Sequence, residues 1–224
     1  MDDRIRQMHQ AAKSVRDFTN QHPSDIEGHA ATAAELSQAV DRMDNAMAMF
    51  ETGTREAAAA KKETNRLLGV IHNDFMLPIA AIARGNGAFD PGLARKFRAP
   101  SPRRDRVAFI GAAQSVKELA EGAKTIFIID GMPATFVEDF GGTLSAYNVA
   151  ATAFNNNYQL HVQALAELKL LTGQVMRLMK RLDGINRARF RKDQHLFSAW
   201  QAARNVSWPA GTAAKAAAKK EASA

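Results

Sequence analysis

The sequence predicts an all-α fold, a bundle of five to seven helices with one long helix around 133–183. Three observations carry that reading. Alanine, leucine, methionine, glutamine, lysine and arginine dominate the chain, and these side chains lose little rotamer freedom on a helix. Apolar residues recur at spacings of three and four, the signature of one buried helix face. Punctuation is sparse, with seven prolines and fourteen glycines in 224 residues, too few for many short strands joined by turns.

The first helix, about Asp3 to Asn20, places Ile5, Met8, Ala12, Val15 and Phe18 on one stripe. Pro23 in "NQHPSD" disfavours helical geometry just before it, and Ser24 or Asp25 can cap the next helix. The second helix runs from about Asp25 to Glu51 with Leu36, Val40, Met43 and Phe50 in register. Gly53 is expected to end it and Thr54 to cap a third. That third helix carries Leu67, Leu68, Ile71 and Phe75 to about Leu77, where Pro78 either kinks it or opens a short new one. Residues 85–106 gather Gly85, Gly87, Gly92, Pro91, Pro100 and Pro102, and are expected to form the longest irregular connection.

The helical period returns from Val107. "TIFIIDGMPATFVEDF" (125–140) could be a buried strand delivering Asp130 into a loop, or a helix end, a glycine turn and a new helix. The flanking period favours helices. Ile126 to Ile129 then close a helix of about twenty residues, Gly131 takes the left-handed position after it, and Pro133 opens the next. The stripe resumes at Phe136 and reaches Leu182 through Phe140, Leu144, Tyr147, Tyr158, Val162, Leu168 and Val175. A bend or break is expected at Gly141-Gly142, Asn155-Asn156-Asn157 or Gly173. Asp183-Gly184 signals its end, and Asp193 to Asn205 forms a short final helix. A single domain is expected over 1–207, followed by a mobile Ala/Lys-rich tail at 208–224.

The net charge of +7 is clustered. Residues 84–106 hold seven basic and two acidic side chains, and residues 177–192 hold seven basic and one. Such clusters suit a solvated rim, or contacts to anions or nucleic acid through Arg103, Arg104, Arg106, Arg187, Arg189, Arg191 and Lys192, with Phe190 available to stack. Cysteine is absent, which removes disulfides and thiol chemistry. None of the six histidines has the spacing of a zinc or di-iron helix motif. "GNGAFD" lacks the third glycine of a phosphate loop, and Ser101, Ser115 and Ser198 lack the context of a nucleophile elbow. Asp130 is the best single carboxylate for chemistry. Read as a helix C-terminal residue, it opposes the dipole and calls for a nearby arginine. No catalytic residue, cofactor or metal is expected, nor a small-molecule substrate.

"HNDFMLPIAAIAR" (72–84), "GMPATFVEDF" (131–140) and "LFSAWQAARNV" (196–206) together resemble a group of uncharacterised bacterial helical proteins. The resemblance implies a helical fold and a bacterial source. The N-terminus lacks the apolar core of a signal peptide, and no run approaches the roughly 20 apolar residues of a membrane span, so a cytoplasmic location is expected. The functional expectation is a non-enzymatic structural or interaction protein forming homo-oligomers, because the long apolar stripe exceeds what one compact domain needs. A nucleic-acid-associated protein is the alternative.

Overall fold

The computed structural model describes residues 2–88, 91–102 and 105–205. The expected tail at 208–224 lies outside them. Among the described residues the chain is all-α, without a strand. The elements are α1 (Asp3–Gln21), α2 (Glu27–Val70), a π-helical turn (Ile71–Met76), α3 (Leu77–Gly85), a 3-10 turn (Asn86–Ala88), α4 (Pro91–Lys96), α5 (Arg106–Gly122), α6 (Lys124–Ile129), α7 (Phe136–Arg189) and α8 (Gln194–Arg204).

Two compact units divide the chain, one from Met1–Thr52 with Leu160–Ala224 and the other Gly53–Gln159. The expected single domain over 1–207 therefore contains two hydrophobic cores. In the first unit, the predicted α1 stripe of Ile5, Met8, Ala12, Val15 and Phe18 is wholly buried. It joins Leu36, Val40 and Met43 of α2, Leu168, Val175 and Leu182 of α7, and Trp200 of α8. Phe18 meets Trp200 and Phe190 at centroid distances of 5.4 and 5.9 Å, spacings at which aromatic pairs attract beyond their buried area. In the second unit, Leu67, Ile71, Ile79, Phe109, Phe127, Phe136 and Phe140 share a core. Phe75 stacks on Phe140 at 4.8 Å with rings 3° from parallel.

Several expected boundaries shift, each for a physical reason. Gly53 does not end the second helix; α2 passes through it, and Gly53 is buried. A glycine costs a helix interior only about 1 kcal/mol, which packing along 44 residues overrides. At Pro78 the helix neither stops nor restarts. The preceding turn widens, and the Leu77 N–H reaches back to the carbonyl of His72, five residues away. Proline has no N–H to give and its ring crowds the carbonyl four residues back, so a widened turn accommodates it. The continuous helix Glu27–Gly85 is long and apolar enough, by length and composition, to cross a membrane. Within its most apolar 18-residue window, 39% is buried.

The expected irregular stretch 85–106 contains the 3-10 turn and α4. The expected single helix after Val107 is two, since the chain leaves helical geometry at Ala123 (φ −116°, ψ 20°) after Gly122. The isoleucines of "TIFIIDG" thus lie on the separate six-residue α6, with Phe127 fully buried and Ile129 78% exposed. Gly131, at φ +102°, ends α6 as expected. Its N–H donates to Ile128 O (3.1 Å) and that of Met132 to Phe127 O (2.8 Å), the paired bonds of a Schellman cap. α7 begins at Phe136, later than Pro133, and is unbroken through its glycines and Asn155-Asn157. It continues past Asp183-Gly184 to Arg189. Aspartates cap three helices, Asp2 on α1, Asp105 on α5 and Asp193 on α8, each accepting a backbone N–H at 3.0 Å.

Candidate functional site

The basic segment 177–192 separates into internal and external groups. Arg189, near the end of α7, turns its guanidinium into the first unit. One Nη donates to the carbonyls of His22 (3.3 Å) and Pro23 (3.0 Å), both in the α1–α2 turn. The other lies 3.0 Å from Asn186 Oδ1 and 2.9 Å from His29 Nε2. Arg189 holds the charge, so His29 is the acceptor and stays neutral. His29 is 1% exposed; burial first, and then the Arg189 charge, hold its pKa below the ordinary value. Burial alone lowers that of Arg189.

Six residues earlier, Asp183 gathers α7 and α8. Its Oδ1 accepts from Trp200 Nε1 (3.0 Å), while Oδ2 accepts from Arg187 Nε (3.0 Å) and pairs with Arg204 Nη1 (3.1 Å). Burial raises the carboxyl pKa, but the Trp200 and Arg187 hydrogen bonds and the two arginine charges outweigh it and leave it lowered. Arg187 and Arg189 are thus tied into the fold, and Phe190, expected to be free to stack, is 5% exposed in the core. Arg191 and Lys192 are exposed in the turn before α8.

In the second unit, Arg103 and Arg104 lie outside the described residues. Arg106 opens α5 and donates to Asn65 Oδ1 at 2.8 Å. Among the described residues the partner of Asp130 is not an arginine: Asn86 Nδ2 donates to its Oδ2 at 2.5 Å while also donating to Ile82 O at 3.1 Å. One amide thereby ties the end of α6 to the end of α3. Lys124 bonds Glu138 at 2.6 Å, and the hydrogen bond, more than the charge, lowers that carboxyl's pKa. His72 pairs with its neighbour Asn73 at 2.9 Å, and His161 packs on the Phe50 ring at 4.4 Å.

No protein-family model, curated protein or solved structure matches the chain. Function is therefore read from the surface itself.

Among the described residues no three His, Cys, Asp or Glu side chains group as a metal would require. Several large apolar side chains are exposed as well. In α7, Val149 is 69% and Leu170 76% exposed. Residues 151–163 of α7 contain no buried side chain, although Tyr158 and Val162 fall on the stripe the sequence predicts. In the second unit, Ser145, Asn148, Val149, Thr152, Ala153 and Asn156 line a shallow furrow of about 440 Å³. Their spacing of three and four residues makes it a single face of α7. Sequence patterns alone do not single out His29, Asn186 and Asn86. The signal they do carry is a polar residue repeating at core spacing, as Asn186 does four residues after Leu182.

Proposed function

We propose that the protein is a non-enzymatic structural or interaction protein that associates with copies of itself through the exposed face of α7. The observation supporting this reading is the furrow from Ser145 to Asn156, with Val149 exposed in it. Small side chains let a second helix approach closely, and a two-fold arrangement sets the same residues on both sides. Covering Val149 and its neighbours removes apolar surface from water at about 25 cal/mol per Å². Sedimentation velocity tests this: the wild type should sediment as a dimer or larger, and Val149→Glu should shift it to monomer. A wild-type monomer at high concentration would refute it. The same reading sets the protein in a bacterial cytoplasm, which cell fractionation checks.

Nucleic-acid association is the alternative, and exposed Arg191 and Lys192 are the residues that favour it. Charge reversal at both should abolish binding to random DNA and flatten its salt dependence. Unchanged binding would remove this cluster from consideration.

A further inference from the structure

The geometry points to a binding pocket for a small anionic amphiphile, a carboxylate or phosphate monoester on a short hydrocarbon chain, between α3 and the α4 segment. The cavity has a volume of about 450 Å³, within the range of small-molecule sites. One wall is a single face of α3, where Leu77, Ala80 and Arg84 follow one another at spacings of three and four. The other wall is Ala94, Phe97 and Arg98. Phe97 is 3% exposed and its ring stands edge-on to Phe127 at 5.1 Å, so the apolar floor is held from below by the core.

The charge pattern selects the ligand. Among the described residues no carboxylate lines the cavity. Arg84 donates Nε to the carbonyl of Ala80 at 3.1 Å, which fixes its stem and leaves both Nη groups without a described partner. Arg98 has no ion pair among the described residues, and its side chain is exposed. Two guanidinium forks at the mouth of an apolar cavity suit an oxyanion that accepts paired N–H bonds. A hydrocarbon chain then covers Leu77, Ala94 and Ala99, the apolar lining side chains that keep exposed surface. A bare ion leaves the apolar wall wet, and a neutral chain leaves the arginines unused. This pocket lies in the second unit and is independent of the α7 furrow.

The full-length protein is titrated calorimetrically with octanoate, octyl phosphate, octanol and inorganic phosphate. At least one of the two charged octyl probes should bind, and the stronger identifies the head group. Octanol and inorganic phosphate should each bind at least about tenfold more weakly. Arg84→Gln and Arg98→Gln should each weaken the charged probe about tenfold while leaving the thermal melting curve in place. The inference is overturned if neither octyl anion binds or octanol binds as well as they do. It is equally overturned if inorganic phosphate matches them or both substitutions leave affinity unchanged.

Discussion

His29 and Arg189 make stability pH-dependent through a contact that works in one protonation state. His29 accepts from the guanidinium, so a proton on Nε2 removes the bond and opposes two cations. Its folded pKa lies below the ordinary value near 6.5, so the folded state binds fewer protons than the unfolded chain. Stability is full above about pH 6.5 and falls as the pH drops through and below that value. His9 acts in the same direction, since its burial outweighs the Asp44 carboxylate beside it. Thermal unfolding at about pH 7.5 and 5.5 should therefore show a loss on acidification that is smaller in His29→Gln, which keeps an acceptor without a titrating group. Equal losses would mean that His29 does not report the contact. Arg189→Met leaves the His22 and Pro23 carbonyls and Asn186 Oδ1 without their donor, and should cost about 1–3 kcal/mol in urea unfolding. None of this was legible in the run "NRARFRK": alternate arginines look equivalent in sequence, and only helix phase at the end of α7 turns Arg189 inward and leaves Arg191 outside.

Helices as elements were largely legible, their ends less so. The α1 stripe, the α8 cap at Asp193 and the glycine turn at Gly131 arise from local chemistry, which sequence records. The join at Ala123 does not, because no proline or capping side chain marks it; Gly122 is its only trace. Gly53 and Gly173 illustrate the reverse, weak breakers overruled by long-range packing. The Gly131 cap is the exacting case. At φ +102° a Cβ is strained even though open space surrounds it, so Gly131→Ala should cost about 1–3 kcal/mol. Gly142→Ala, also in open space but inside α7, should instead stabilise by about 0.5–1 kcal/mol. Chemical denaturation of the two variants checks both signs. The candidate Asp130 was legible as a helix-junction carboxylate, while its partner was not, since Asn86 is 44 residues away and an arginine was the simpler guess.

At the scale of the whole molecule, two cores replace the one that a continuous apolar stripe suggests. A stripe records which residues are apolar along a helix but not where its cover changes, and Tyr158 and Val162 are half-exposed for that reason. Separate cores predict separable responses in hydrogen exchange. Trp200→Ala empties a fully buried site in the first unit, and Phe127→Ala does so in the second. Each should cost about 3–5 kcal/mol. Trp200→Ala should deprotect amides of α1 and α8 first, and Phe127→Ala those of α5 and α6. Uniform deprotection by either variant would mean that the chain unfolds as one cooperative body.

The widened turn at Ile71–Met76 has a further consequence for how this chain encodes its buried face. On a regular α-helix, Ile79 lies about 80° around from Ile71, and Ala83 about 160° from Leu67. Absorbing one extra residue in the turn reduces these offsets to roughly 20° and 60°, and all four side chains are buried. The segment therefore carries a one-residue phase correction. Deleting Asn73 or Asp74, both exposed, would let the turn close as regular α-helix and keep Ile79 and Ala83 on the buried face, whereas inserting one residue there would swing both about 100° towards water.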